Sequence, residues 1–421
     1  MNWGLVSLVA LIIVIALGFF RKLNVGVLAI AFAVPLGKMA GMTDRAIIGG
    51  WNTSLCLMLM GVTFVFSIAQ SNGTLELFAR KAIALTGKHA WMIPIVIFFL
   101  SAFLAAVGPG TVSVMTLMVP LAVALAVEMK ISPLMIAPIT VLGSAGGGLT
   151  PIAPTGIIGL TLMQQQGFTG LEIPYALNSM AAETFVAAIL YFAFGGHKLR
   201  GTKDSIETLP AFTPNQKLTM LGMGLMIAAV LITRVNVGLA AFVVGAVLLF
   251  LRVVDERSAI RNMPWSTILL VCGVGVLMNL AIKLKGIELL AQTLGTFMTA
   301  KTATPILTFT SGIMSWFSST SGVVMPTLIP TISSLLQAVP GTTPLDLVSA
   351  VTFGAHTAGI SPASTGGALA LAAYSASAGV SPADQNKLFM QMFLTAVAGV
   401  CLVTLFAAIG GFGWLAWLVA S

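Results

Sequence analysis

Long apolar runs separated by short polar segments dominate the chain. Runs of roughly 16–20 residues recur along its whole length, and a helix of that length crosses the hydrocarbon core of a membrane. The runs predict simple helices at about 3–20, 25–42, 54–70 and 178–195, and again at about 218–233, 237–254, 266–282 and 388–418. Amphipathic segments are predicted at 73–88 and 286–301. The fold class predicted from this pattern is an all-α integral membrane protein.

Polar, glycine-rich or serine-rich stretches interrupt the apolar pattern at four further places. Two of them, at 107–111 and 318–322, join apolar pieces that are too short to span a membrane alone. We expect each of these to be the tip of a re-entrant hairpin, because a loop at membrane depth must be buried in protein. The other two, at 146–154 and 359–365, interrupt longer runs and predict broken helices.

The same series of segments occurs twice, with an offset of about 210 residues. The matched pairs are Asn24 and Asn236, Trp51 and Trp265, Thr53 and Thr267, Gly61 and Gly275, Ser101 and Ser311, Pro120 and Pro330, and Thr150 and Ser361. Each copy crosses the membrane five times if its hairpin enters and leaves on one side. Since five is odd, the second copy is predicted to be inverted relative to the first, which is a common design of secondary transporters.

Charge adds an orientation to this picture. Only 8% of the residues are charged and the mean hydropathy is +1.04, so a soluble protein is excluded. The net charge of +8 lies in short loops, where it sets topology and does not indicate nucleic-acid binding. One face carries Lys38, Arg45, Arg234, Lys283, Lys285 and Lys301, and the other face carries the remaining lysines and arginines. The positive-inside rule makes the second face cytoplasmic. We therefore expect a multi-pass protein of a bacterial-type inner (plasma) membrane, with both termini outside.

The tips and breaks are the predicted site, because their unpaired backbone groups must be satisfied by protein, water or ligand. A helix N-terminus after a tip suits a carboxylate, and unwound carbonyls with nearby hydroxyls suit Na⁺. The candidate substrate ligands are Gly110, Thr111, Ser113, Thr155, Ser319, Thr320, Ser321, His356 and Thr365. The candidate Na⁺ ligands are Gly108, Ser144, Gly147, Thr150, Ser318, Thr357, Gly359 and Ser361.

These residues also have plainer explanations. Small residues serve close helix packing, although four clusters in two matched pairs favour a transport site. His356 lies inside a predicted break and is either a functional group, for an anion or a proton, or a buried neutral histidine held by hydroxyls. Glu183 is either a coupling acid or an interfacial carboxylate, and its position about a turn inside the closing helix favours the second interpretation. No lysine or arginine lies in the four clusters, so an anion would be held by dipoles and hydroxyls.

Motifs for other classes of membrane protein are missing from the sequence. It has no P-loop and no HExxH-type metal motif, which argues against an ATP-driven pump and a membrane protease. We therefore expect a protein that is not an enzyme and that has no cofactor. The coupling ion expected from the unwound carbonyls and nearby hydroxyls is Na⁺.

Two stretches near the N-terminus carry a family resemblance. Lys22-Leu23-Asn24-Val25-Gly26 and Gln70-Ser71-Asn72-Gly73-Thr74-Leu75-Glu76 resemble the N-terminal region of MatC-type malonate/dicarboxylate carriers. The full layout resembles the ion transporter superfamily, whose best-described members are the divalent anion:sodium symporters. The resemblance implies a homodimer with an elevator mechanism. The two repeats occupy 1–196 and 218–421, joined by a polar linker at 197–217 that is predicted to be cytoplasmic. The resemblance implies that each repeat divides into a scaffold, at about 1–88 and 218–300, and a mobile transport domain, at about 89–196 and 301–421.

The hairpin tips depart from the pattern of those symporters, in which each tip carries a Ser-Asn-Thr motif. The tips of this chain read Gly108-Pro109-Gly110-Thr111 and Ser319-Thr320-Ser321-Gly322, with no asparagine. The resemblance transfers by position to Thr111, Ser319 and Thr320.

The function predicted from the sequence is symport of a small dicarboxylate such as malonate, malate or succinate, driven by Na⁺ or H⁺. Two alternatives stay open at this point. One is a Na⁺/H⁺ antiporter on the same scaffold, which would need a buried titrating acid. The other is a passive anion channel.

Overall fold

Helices joined by short loops form the part of the chain that the computed structural model describes, which is residues 2–21, 23–84, 89–200, 209–233, 235–316, 318–378 and 382–414. The first half contains α1 (Trp3–Arg21), α2 (Val25–Met39), α3 (Asp44–Ile48), α4 (Thr53–Ser71), α5 (Thr74–Ala84), α6 (Met92–Ala106), α7 (Gly110–Glu128), α8 (Pro133–Gly147), α9 (Pro154–Gln165) and α10 (Glu172–Ala193). The second half contains α11 (Pro214–Thr233), α12 (Val237–Phe250), α13 (Glu256–Arg261), α14 (Trp265–Lys283), α15 (Gly286–Gly295), α16 (Ala303–Trp316), α17 (Met325–Leu328), α18 (Ile332–Ala338), α19 (Pro344–Thr357), α20 (Thr365–Ala378) and α21 (Pro382–Ala408). A π-helical turn, Thr320–Val324, precedes α17.

Six segments of the described chain are long and apolar enough to cross a membrane: Thr53–Ser71, Gly110–Glu128, Glu172–Ala193, Trp265–Lys283, Thr320–Ala338 and Asn386–Ala408. Several shorter apolar helices accompany them, α2, α6, α8 and α12 among them. At most helix ends, the predicted spans and both predicted breaks agree with these elements to within a few residues. The ends of two predicted segments, 85–88 and 415–418, lie outside the described residues. The all-α membrane fold is therefore confirmed.

Two details differ from the sequence-based expectation. The short helices α3 and α13 were not predicted. The second limb of each hairpin, α7 and Thr320–Ala338, is 19 residues long, so the expectation of two short limbs was wrong. An α-helix of that length reaches about 28 Å, close to the thickness of the hydrocarbon core. The predicted inversion is unaffected, because a hairpin with two crossing limbs adds an even number of crossings.

Asparagine caps explain why the Asn-Val-Gly sequence occurs twice. The side chain of Asn24 accepts a hydrogen bond from the backbone N–H of Gly26 at the start of α2. Asn236 does the same for Gly238 at the start of α12. An asparagine in this position satisfies one of the N–H groups that a helix start leaves unpaired.

The two halves of the chain are inverted relative to each other. Helix α4 begins just after α3 and ends where the amide of Asn262 donates to Ser71 Oγ at 2.8 Å. Its counterpart α14 begins three residues after Asn262 and ends where Lys283 Nζ donates to the carbonyl of Ala46 in α3 at 3.4 Å. The two matched helices therefore run in opposite directions between the same two ends of the molecule.

Reciprocal glycine contacts fix the register between the halves. Helix α4 packs along α12, and its counterpart α14 packs along α2. A Cβ atom on Gly61 would collide with the carbonyl of Gly238, and a Cβ atom on Gly273 would collide with the carbonyl of Gly26. The structural partner of Gly61 is therefore Gly273, and the predicted match of Gly61 with Gly275 was wrong.

The helices pack in two groups. The first group is α1–α5 with α11–α15, in which α2 contacts α14 and α4 contacts α12. The second is α6–α10 with α16–α21, in which α6 contacts α8, α16 contacts α19 and α7 contacts α20. Whether these groups are the scaffold and transport parts that the resemblance implies stays a prediction, as does the movement of one group against the other.

The glycine contacts lead to a stability prediction. We expect Gly61→Ala to lower the free energy of unfolding by about 1–3 kcal/mol, because the added methyl group has to push α4 and α12 apart. Gly273→Ala should cause a similar loss, since it occupies the matched position. Thermal unfolding of the purified protein in detergent measures both.

Gly224→Ala in α11 is the matched control, because nothing lies within 4 Å of the Cβ position there. Alanine is the better helix former by about 1 kcal/mol, so this variant should be at least as stable as the wild type. An unfolding temperature for Gly61→Ala equal to that of Gly224→Ala would contradict the proposed contact.

Candidate functional site

The tip of each hairpin is joined to the neighbouring helix break by the same hydrogen bond. In the first half, Thr150 Oγ1 in the α8–α9 break donates to the carbonyl of Ala106 at the end of α6, at 2.6 Å. In the second half, Ser361 Oγ in the α19–α20 break donates to the carbonyl of Trp316 at the end of α16, at 3.2 Å. The repeated hydroxyl therefore pairs a carbonyl that the end of the first limb leaves free.

The first tip also packs tightly on the first break. Gly110 has φ +73°, and a Cβ atom on it would lie 2.6 Å from Cδ of Pro154. Thr111 Oγ1 occupies the space that a side chain on Gly148 would need. The tip and the break therefore lie too close together for a side chain at Gly110 or Gly148, and this contact places Thr111 against the break.

The hydroxyl groups of the second tip are engaged within the protein. Thr320 Oγ1 donates to the carbonyl of Ala355 at 2.9 Å and lies 3.0 Å from Ser315 Oγ. Ser319 Oγ accepts from the N–H of Gly322 at 3.2 Å. The two side chains that the family motif singled out at this tip therefore serve local structure in this conformation.

A small pocket forms where the first tip, the first break and the second tip meet α4 and α14. Its polar side chains are Thr63, Thr111, Ser113, Thr155, Thr267 and Ser321. Four of these six side chains belong to the predicted substrate ligands, and both halves of the chain contribute. Thr63 and Thr267 were not predicted, because nothing in the sequence of α4 or α14 marks the positions that face the tips. None of the described residues that line the pocket is charged.

The pocket is also small, at about 30 Å³. That is room for one or two water molecules and not for a dicarboxylate. Substrate entry into this pocket therefore requires the tip and break to separate from α4 and α14.

Two helix N-termini meet at the pocket. The first turns of α7 and α9 supply Pro109, Thr111, Pro154 and Thr155 to its wall, and neither helix start has a side-chain cap. Such ends carry partial positive charge and free N–H donors. Thr111 Oγ1 is buried and has no hydrogen-bond partner in the structure. A buried hydroxyl without a partner is costly, so it is a donor that a bound anion could satisfy.

Three of the other predicted substrate residues lie elsewhere. Thr365 is exposed, although its counterpart Thr155 is buried in the pocket wall. His356 is 3% exposed, and its Nδ1 has no hydrogen-bond partner in the structure, so the hydroxyl groups expected to hold it are not found at that nitrogen. Ser319 lies at the second tip, as described above.

The predicted Na⁺ ligands are spread over both breaks and tips. Gly108 packs on the ring of Phe66 and Gly147 on the backbone of Ala102, while Gly359 lies near Val141. Four of the hydroxyl candidates donate to main-chain carbonyls: Ser144 to Thr140, Ser318 to Met314, Thr150 to Ala106 and Ser361 to Trp316. The fifth, Thr357, donates to the side chain of Glu183. Whether these residues bind Na⁺ stays a prediction.

Glu183 is not the interfacial carboxylate that we expected. It is completely buried in α10, and Thr357 Oγ1 lies 3.3 Å and 3.2 Å from its two carboxylate oxygens. Its Cβ lies 3.3 Å from where a Cβ atom on Gly146 would be, so it faces the end of α8 as well as the end of α19. Sequence reasoning missed this position because the second half has no matching acid.

Comparison with known proteins agrees with the N-terminal resemblance and with the fold. Residues 1–148 match the family model described as dicarboxylate carrier protein MatC N-terminus. No curated protein matches the chain. The YdaH transporter of Alcanivorax borkumensis, a crystal structure described as having an unusual topology, aligns with a TM-score of 0.62 at 13% identity, over 87% of this chain and 88% of that one. At that identity the likeness establishes the fold alone. The resemblance to MatC-type dicarboxylate carriers is therefore confirmed over residues 1–148, and the family match and the fold together indicate a multi-pass membrane transporter rather than an enzyme.

Proposed function

We propose that the protein is a secondary active symporter of small dicarboxylates, such as malonate, malate or succinate, driven by Na⁺ or H⁺. The observation that carries this proposal is the unpaired buried hydroxyl of Thr111, in a pocket that two helix N-termini line. Uncharged donors of this kind suit a carboxylate that must also leave again, because they avoid the strong attraction of a buried lysine or arginine.

We also propose that the protein works as a homodimeric elevator. The pocket lies between the two helix groups: Leu59, Thr63, Thr267 and Ile268 belong to the first group, and the tips and the first break belong to the second. A rigid movement of the second group past α4 and α14 would open the pocket without breaking the hydrogen bonds that join tips to breaks. The present conformation, with little free volume, corresponds to a closed state in that cycle.

We expect Thr111→Val to impair dicarboxylate transport. The substitution keeps the shape of the side chain but removes one hydrogen bond to a charged group, which is worth about 1.5–3 kcal/mol. The transport efficiency kcat/KM should therefore fall by roughly tenfold or more. Counterflow of radiolabelled malonate and succinate in proteoliposomes measures this, and Thr111→Ser should retain most of the activity.

Thr116→Val is the matched control in the same helix. Thr116 is exposed, and its hydroxyl donates to the carbonyl of Val112 within α7. Its loss should leave transport close to the wild-type rate. If Thr111→Val transports as well as Thr116→Val does, the anion is bound elsewhere.

A Na⁺/H⁺ antiporter is the second candidate function, and the burial of Glu183 favours it. An antiporter of this type needs a buried acid on which the two cations compete. The two functions are separated by an assay in proteoliposomes with a pH-sensitive dye and no organic anion. Proton movement on addition of Na⁺ alone would support antiport, and movement only when a dicarboxylate is present would support symport.

We further propose that the face carrying Lys38 and Lys283 lies outside, in a bacterial-type inner membrane, so that the termini are also outside. Ile48 in α3 lies on that face and is 67% exposed, whereas the exposed Asn215 at the start of α11 lies on the opposite face. A membrane-impermeant maleimide added to intact cells should label Ile48→Cys and should label Asn215→Cys only after lysis. The reverse pattern would invert the proposed orientation.

A further inference from the structure

Glu183 is the one acidic side chain that is fully buried in the described part of the chain. It projects from α10 between the last turn of α8, near Gly146, and the last residue of α19, Thr357. Both of these helices end at the central breaks. The carboxylate therefore lies where two broken helices stop.

Among the described residues, no lysine or arginine forms an ion pair with this carboxylate. Helices α8, α10 and α19 contain no lysine or arginine. The ion pairs between described residues are Lys38 with Asp44 and Arg80 with Glu76, both exposed. The hydroxyl of Thr357 has one hydrogen to share between the two carboxylate oxygens. Most of the acceptor capacity of Glu183 is therefore unused, and burying it in this way is costly without a positive partner.

The surroundings of Glu183 supply more negative charge and more oxygen atoms. Helix C-termini carry a partial negative charge, and two of them meet here. No hydrogen bond between described residues ends on the carbonyl oxygens of Gly146 or Gly147. A carboxylate, a hydroxyl and free carbonyls are hard oxygen donors, which suit an alkali cation and offer nothing to a soft transition metal.

We propose that Glu183 is the anionic ligand of a Na⁺ site, completed by Thr357 and by carbonyls at the end of α8. This site deepens the proposed symport function and rests on it for its role in coupling. It shares Thr357 and the end of α8 with the Na⁺ ligands expected from the sequence, and it adds a charged ligand, Glu183, that was not among them.

The site also departs from the twofold repeat. By the repeat offset of about 210 residues, the counterpart of Glu183 in the second half is Phe393, whose ring lies 5.7 Å from that of Trp316. An aromatic contact therefore fills the place of the carboxylate in that half. The proposal accordingly assigns one Na⁺ ion with a carboxylate ligand to each protomer.

Binding of Na⁺ alone tests the site without any organic anion. Thermal unfolding of the purified protein is followed over a series of NaCl concentrations, with choline chloride holding the ionic strength constant, because a ligand that binds the native state raises the unfolding temperature. The wild type should show a saturable rise. Glu183→Gln should lose this rise or need about tenfold more Na⁺ for it.

Three further variants keep the test decisive. Glu183→Asp retains the charge and should respond to Na⁺ with weaker affinity. Thr357→Val should also weaken the response, because it removes a neutral ligand. Glu128→Gln, at the exposed end of α7, is the matched control and should respond like the wild type.

Three results would overturn the proposal. In the first, Glu183→Gln keeps the wild-type Na⁺ midpoint. In the second, Glu183→Asp loses the response entirely while remaining folded. In the third, the wild type is insensitive to Na⁺ but is stabilised at low pH, which would assign a proton to the carboxylate. Malonate counterflow is measured separately on the same preparations. A Na⁺ response without counterflow would disprove the proposed function and leave the Na⁺ site standing.

Discussion

The fold depends on pairing the backbone groups that its breaks and tips leave open inside an apolar protein. Each such group costs several kcal/mol away from water, so an unpaired break would not persist at membrane depth. Hydroxyl groups in the breaks pair the carbonyls at the ends of the first hairpin limbs: Thr150 donates to the carbonyl of Ala106, and Ser361 donates to that of Trp316. Each tip thus stabilises the break beside it. Because both bonds lie within the second helix group, that group can behave as one unit.

The twofold symmetry of the backbone does not extend to the chemistry of the side chains. The first half provides most of the polar pocket wall and the buried carboxylate. At the second tip, by contrast, the hydroxyl of Thr320 donates to the carbonyl of Ala355 within the protein. Thr155 is buried while its counterpart Thr365 is exposed. The repeated framework therefore provides the discontinuous helices, and single residues that differ between the halves decide which helix ends present free donors.

The sequence predicted the parts of this structure that have a periodic or repeated signal. Apolar runs located the spans, and repeated breakers located both breaks, because those constraints act on backbone segments. The register near Gly61 was missed since it is set by contact with Gly238, a helix pair far apart in sequence. Glu183 was misread because a lone acid has no repeat partner. Which hydroxyls are free, such as that of Thr111, depends on packing that no local pattern encodes.

The glycine run at the end of α8 connects the two proposed sites. Gly146 faces Glu183, and Gly148 faces Thr111, so one short segment separates the carboxylate from the pocket. A cation beside Glu183 would cancel negative charge close to the place of the anion, and the attraction is strong where water is excluded. Linkage makes this effect mutual, so that the anion strengthens cation binding equally. Two ligands that favour each other load together, and this geometry therefore supports symport over antiport.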